Sequence, residues 1–217
     1  MIVVVVPTLD TPGPLARVLA ELPPTLHVVV VDDGSRPALG ETDRARTTWV
    51  RHPVNRGYGA AQKSGFAAAL AAGATRVVLL HGDGQYQTDS TLALAAALDD
   101  ADVALGSRFL HDAGAIPAWR RWGNRLLTGA ANLRLGTRFS ELHTGARAYR
   151  AEWLRELPLR DYSDDFVFDQ QILVDSIRRK GRIVERPAPT RYDATTRSIS
   201  PGRSVAYGLA CLRLLVG

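Results

Sequence analysis

Apolar residues in this chain form short β-branched runs separated by longer helical patterns, and polar residues collect where the runs end. Ile2-Val3-Val4-Val5-Val6 is unbroken up to Pro7, which predicts a strand buried on both faces. His27–Val31 is a second run, closed by Asp32-Asp33-Gly34-Ser35. Thr47–Arg51, Val77–Leu80 and Val103–Leu105 follow, the last leading into Gly106-Ser107-Arg108. Residues 14–22, 57–72 and 88–98 read as helices; the first has Pro14 early and stops at Pro23-Pro24, and the second ends at Gly73. Farther on, helices are expected over 120–135, 166–180 and 204–216, with a strand opening at 183–185. This alternation predicts parallel βαβ units: an α/β fold with a mostly parallel central sheet flanked by helices. No repeat, linker or low-complexity tract interrupts it, so residues 1–217 read as one domain. Its first half, 1–110, is more regular than its second, 111–217.

Composition narrows the function. Hydrophobic residues make up 46% of the chain, enough for a packed core rather than disorder. The single cysteine, Cys211, excludes an internal disulfide framework and a cysteine zinc cluster. No apolar run approaches the length of a bilayer span, and the first residues lack a basic segment and the apolar length of a signal peptide; a cytoplasmic protein is expected. Charge is uneven: Ser176–Gly217 holds nine Lys or Arg against two acidic residues, +7 of the total +5, which leaves −2 for residues 1–175. A basic end on a mildly acidic body suits an anionic partner or a solvated basic face. Nucleic acid is not expected, because no recognised motif or aromatic interleaving accompanies the charge.

Three polar loops fall at the carboxyl ends of predicted parallel strands, where open α/β sheets bind ligands. They are Pro7-Thr8-Leu9-Asp10, Asp32-Asp33-Gly34-Ser35 and His81-Gly82-Asp83-Gly84-Gln85-Tyr86. One acidic loop is commonly a cap or turn. Three on one sheet edge would repel one another unless a cation or ligand joined them. Asp83, between two glycines, is placed to hold a divalent cation, which takes oxygen ligands and shares its site with substrate phosphates. Asn55-Arg56-Gly57-Tyr58-Gly59 precedes a helix, whose N-terminus favours anions, with Lys63 one turn in. The spacing is neither the dinucleotide fingerprint nor a P-loop.

Taken in order, these motifs resemble the family 2 glycosyltransferases of the GT-A fold, in the branch of the dolichol-phosphate-mannose synthases and other polyprenyl-phosphate glycosyltransferases. Val31-Asp32-Asp33-Gly34-Ser35 resembles the VDDGS motif, Asn55–Gly59 the N-x-G loop, and Gly82-Asp83-Gly84-Gln85 the second half of the D-x-D-G-Q metal motif. Gly106-Ser107-Arg108 resembles the G-S-R strand end, and Thr144-Gly145-Ala146-Arg147 the [ST]-G-x-R segment. His81 departs from the family, standing where the first Asp of D-x-D is usual; a structural or ribose-side role is expected for it ahead of metal ligation.

The resemblance implies a nucleoside-diphosphate sugar as donor and Mg²⁺ or Mn²⁺ held by Asp83 with Gln85 helping. Asp10 and Asp32 would contact the nucleoside, with Pro7, Thr8, Asp33 and Gly82 around it. Arg56, Gly57, Lys63, Arg147, Arg191 and Arg197 would serve the phosphates. Glu141, Asp165 and Asp169 are the candidate bases, although a phosphate acceptor is already ionised and needs little base. The implied reaction is inverting transfer of one sugar to polyprenyl phosphate. A soluble small-molecule acceptor and a silent nucleotide-sugar-binding module are the alternatives. The basic C-terminal segment allows peripheral contact at the inner face of a membrane, and a homodimer is compatible with the sequence.

Overall fold

A computed structural model describes residues 1–110, 118–190 and 201–216. The strands are β1 (Ile2–Thr8), β2 (His27–Asp32), β3 (Thr47–Arg51), β4 (Arg76–Leu79), β5 (Val103–Ser107), β6 (Arg147–Arg150) and β7 (Ile183–Pro187). The helices are α1 (Pro12–Glu21), α2 (Tyr58–Ala71), α3 (Thr88–Ala97), α4 (Ala118–Leu135), α5 (Ala151–Glu156), α6 (Phe168–Arg178) and α7 (Pro201–Val216). The strands form one sheet in the order β3-β2-β1-β4-β6-β5-β7, parallel except for β6, which runs antiparallel to both neighbours.

The β-branched runs are buried on both faces. Val3, Val5, Val29, Val31, Val77 and Leu79 point to one core, and Val4, Val6, Val28, Val30, Val78 and Leu80 to the other. Period-two alternation thus feeds two apolar layers from one run. α2 lies so close over β1 that a Cβ on Gly65 would overlap Val5 Cγ1. This is the GT-A architecture that the resemblance implies.

Three elements differ from the sequence reading: β1, β6 and α5, a helix of 6 residues that no expected element covered. β1 continues through Pro7 to Thr8, because its pairing with β4 ends at Val5 and a missing N–H is tolerated beyond it. β6 was not expected. Its four residues include two arginines, and Arg147 can be buried only because three carbonyls meet its guanidinium. Helix ends shift by about two residues, within ordinary fraying. Arg191 and Arg197 lie outside the described residues.

Candidate active site

The ends of β1, β2 and β4 are tied into one rim. The Asp10 amide donates to Ser35 Oγ at 2.8 Å, and the Arg36 amide to Asp10 Oδ1 at 2.8 Å. Gly82 N donates to Pro7 O at 3.1 Å, and a Cβ on Gly82 would sit 2.8 Å from Thr8 Cβ. Pro7, Thr8 and Gly82 therefore form the packed floor, with Asp10 half-buried above them. Asp10 takes a positive φ of 52°, the left-handed region that Asp tolerates better than most residues.

The carboxylates of the second loop are buried and hydrogen-bonded within the chain. Asp32 is fully buried and accepts from Ser35 N at 2.9 Å and Leu39 N at 3.2 Å, with Arg51 Nε 3.5 Å away. Burial raises its pKa, but the Ser35 and Leu39 hydrogen bonds and the Arg51 charge outweigh that and hold it below the ordinary carboxylate value. Asp33 is also buried. It accepts from Arg56 N at 3.0 Å, Gly57 N at 2.9 Å and His52 Nδ1 at 2.6 Å. A carboxylate only accepts, so His52 Nδ1 is the donor there.

The expected phosphate cradle at the start of α2 is already filled by the protein. Asp33 takes the Arg56 and Gly57 amides, and the Asp164 carbonyl takes Gly59 N at 2.7 Å and Ala60 N at 3.2 Å. Gly57 and Gly59 are required for this contact: a Cβ on Gly57 would overlap Asp164 O, and one on Gly59 would lie 2.5 Å from Ser163 O. Lys63 is committed as well, donating to Tyr162 O and, at 2.9 Å, to Asp164 Oδ1. Of the expected phosphate contacts here, only the exposed Arg56 side chain faces outward.

After β4, Asp83 and Gln85 stay half-buried on the rim, and Asp83 Oδ1 accepts Gln85 N at 2.9 Å in a tight turn. His81 turns inward. Its Nε2 lies 2.7 Å from Tyr58 Oη, and Tyr58 donates to Asp169 Oδ2 at 3.0 Å. With the phenol proton committed to Asp169, His81 Nε2 is the donor. Gln62 Nε2 completes Asp169 at 2.8 Å. Burial, then the Asp169 charge, drives the Tyr58 phenol pKa well up, so it stays protonated. His81 packs against Gly145, where a Cβ would overlap its ring, and edge-on to Tyr58 and Tyr86. Tyr86 Oη in turn accepts Gly145 N at 2.7 Å.

The second half supplies a buried ionic cluster. Glu141 is fully buried and accepts Arg108 N at 2.7 Å, Arg108 Nε at 2.8 Å and Asn124 Nδ2 at 2.7 Å, beside Arg108 Nη2. Glu185 of β7 holds the Ser140 and Glu141 amides at 2.8 and 3.0 Å. Arg147 is also fully buried, donating to Thr144 O, Asp169 O and Leu142 O at 2.9, 2.7 and 3.1 Å. It braces the site from beneath instead of touching phosphate. Glu141 and Asp169 are both bound up in hydrogen bonds, leaving Asp165, exposed at the approach to α6, as the open carboxylate of the three candidate bases. The His143 carbonyl oxygen accepts from Arg108 Nη2 at 3.1 Å, and its Nδ1 lies 3.0 Å from Tyr207 Oη. Tyr58, Tyr86, Arg108 and Asn124 were not assigned roles from sequence. Tyr58 and Arg108 stand inside the quoted motifs; Asn124 carries no local signal.

Among the described residues no three His, Cys, Asp or Glu side chains gather into a protein-only cation cage. One rim carboxylate beside a tight turn fits the other arrangement, a hard cation sharing its coordination between Asp83, water and substrate phosphates.

Residues 3–158 match the family described as Glycosyl transferase family 2. The chain is 31% identical over 180 residues to the polyprenol monophosphomannose synthase of Mycolicibacterium smegmatis, covering 76% of this chain and 66% of that protein. It therefore spans just under two thirds of that relative's length. It is 29% identical over 180 residues to the undecaprenyl-phosphate mannosyltransferase of Micrococcus luteus, covering 78% of this chain and 73% of that one. In fold it is similar to the glucosyl-3-phosphoglycerate synthase of Mycobacterium tuberculosis, solved with Mn²⁺, UDP and glucosyl-3-phosphoglycerate. The TM-score is 0.70 at 17% identity, over 100% of this chain and 78% of that one.

Proposed function

The chain belongs to glycosyl transferase family 2, and from that premise we propose that it moves one sugar from a nucleoside-diphosphate sugar to polyprenyl phosphate. The observation that carries the acceptor class is the state of the candidate bases. Glu141 and Asp169 are saturated by Arg108, Asn124, Tyr58 and Gln62. A site without a free buried base suits an acceptor that arrives ionised, as a phosphate does near neutral pH. The names of the relatives point to the same class: one contains polyprenol and the other undecaprenyl phosphate.

The rim then divides the work. Pro7, Thr8, Asp10 and Gly82 receive the nucleoside, Asp32 and Asp33 shape the loop beneath it, and Arg56 faces the diphosphate. Asp83, with Gln85 closing its turn, holds Mg²⁺ or Mn²⁺; such a cation stabilises charge developing on the leaving diphosphate. The solved neighbour holds Mn²⁺ and UDP. His81, Tyr58 and Asp169 form the wall behind the rim and keep its geometry. The phosphate oxygen of the acceptor attacks the anomeric carbon from the opposite side, inverting it.

A thermal-shift panel of UDP, GDP, dTDP, CDP and ADP with and without Mn²⁺ tests the donor half. Ligand at a hundredfold excess over Kd adds about 2.7 kcal/mol. A shift for one nucleotide that depends on metal is expected, and it should vanish in Asp83→Ala while the apo melting temperature is kept. No shift for any nucleotide would refute the donor site, and binding without transfer to polyprenyl phosphate would leave a silent binding module.

A further inference from the structure

Eight of the eleven large hydrophobic side chains exposed among the described residues stand on two helices, α4 and α7. On α4 they are Trp119, Trp122, Leu126 and Leu133. At about 100° per residue these fall within an arc of about 60°. Val205, Leu209, Leu212 and Val216 form an equally narrow stripe on α7. Each is between 40% and 88% exposed. The opposite faces are buried, through Ala131 on α4 and Cys211 and Leu215 on α7. The helices pack side by side, with Gly208 against Leu127: a Cβ there would lie 3.6 Å from Leu127 Cδ1. Single exposed leucines need no explanation, but two adjoining stripes mark an interaction surface.

The charge pattern selects the occupant. The exposed Arg125, Arg134 and Arg213 flank these stripes, and neither helix carries an Asp or Glu. A second copy meeting this face across a two-fold would set arginines against arginines. A nucleic acid would leave the apolar stripes unused. An anionic lipid surface satisfies both, with apolar side chains entering the headgroup boundary, tryptophans at their preferred depth and arginines on phosphates. No helix among the described residues is long and apolar enough to cross a membrane, so the face would lie in the interface plane.

We propose that α4 and α7 together form an amphipathic face that docks on an anionic phospholipid bilayer. The tryptophans come from α4, outside the basic C-terminal segment to which sequence alone pointed. The inner sides of the same helices hold the site: Asn124 of α4 binds Glu141, and Tyr207 of α7 binds His143. Docking therefore sets the Arg108–Glu141 side of the cleft beside the bilayer. The proposal deepens the lipid-phosphate acceptor reading, but its surface argument stands apart from the chemistry.

The test is co-sedimentation of the full chain with phosphatidylglycerol–phosphatidylcholine vesicles and with phosphatidylcholine alone, read together with tryptophan emission. The wild type should pellet with the anionic vesicles, with blue-shifted emission. Leu126→Glu with Leu209→Glu should lower partitioning roughly a hundredfold, since each leucine withdrawn from water is worth at least about tenfold. Arg134→Glu with Arg213→Glu, at exposed positions, should weaken it independently and remove its salt dependence. Unchanged melting temperatures establish that the variants fold. A wild type that stays in the supernatant, variants that bind as tightly as the wild type, or equal binding to neutral vesicles each overturn the proposal. So does a wild-type dimer that the leucine variants split, which assigns the face to a second copy. Vesicle binding without any nucleotide shift would sink the transferase reading and leave this one standing.

Discussion

Replacing His143 by Gln should remove a measurable part of the pH dependence of stability. The residue is only partly buried as a whole, yet its ring is enclosed: Nε2 reaches neither solvent nor a partner among the described residues. Burial, and after it the Arg147 and Arg108 charges, pull the imidazole down to about 3. In the unfolded chain it titrates near the ordinary value of about 6.5. Above that pH both states are neutral and stability is complete. As pH falls below it, only the unfolded state gains the proton, so stability is lost until the folded value is reached. One unit below, near pH 5.5, the loss is about 1.4 kcal/mol. For a chain of this size that corresponds to roughly 3–6 °C in melting temperature. Calorimetry at pH 7.5 and 5.5 on wild type and His143→Gln measures it, and contributions from other groups cancel in the difference. The wild type should lose those degrees beyond what the variant loses; parallel slopes would refute an enclosed, neutral His143.

Gly57→Ala should detach the 163–164 loop from α2, because the new methyl meets Asp164 O at a positive φ of 108°; a loss of more than about 2 kcal/mol by urea unfolding is expected. Glu141→Gln removes the buried charge that faces Arg108 and should cost about 3–5 kcal/mol, while the shape of the pH–rate profile stays that of the wild type; a lost acidic limb would make Glu141 the base. His81→Asp restores the carboxylate usual in the family but places it against Asp169 in the Tyr58 network. It should lower the melting temperature without improving transfer, and a gain in transfer with Mg²⁺ would show that the position faces the cation.

The parallel half of the sheet was legible because its strands are buried on both faces, and an unbroken Val run says so directly. β6 was not, since Arg147 and Arg150 look like solvent residues until the carbonyls that receive Arg147 are in place. That the polar loops closing successive apolar runs share one rim was also legible. The direction of each carboxylate was not. Asp32 and Asp33 are held by backbone amides of residues 35, 39, 56 and 57, and an amide has no sequence signature. Gly57 and Gly59 signalled a close approach, and one exists. What approaches is the chain itself, from a loop about a hundred residues away.

The antiparallel placement of β6 directly beside β5 has a consequence for how such a protein can diversify. The chain leaves the sheet at Ser107 and re-enters it at Arg147 on the adjoining strand, with Leu105 and Arg147 paired in register. Everything between, α4 included, is an excursion whose two ends are fixed by neighbouring strands. Its last residues are pinned, since Leu142 and Thr144 supply carbonyls to Arg147 and Glu185 holds the Ser140 and Glu141 amides, so length and content can be exchanged only ahead of them. The polar rim belongs to the sheet and α4 to the excursion. A graft that replaced α4 and kept residues 139–146 would therefore change one flank of the molecule and leave the rim as it is.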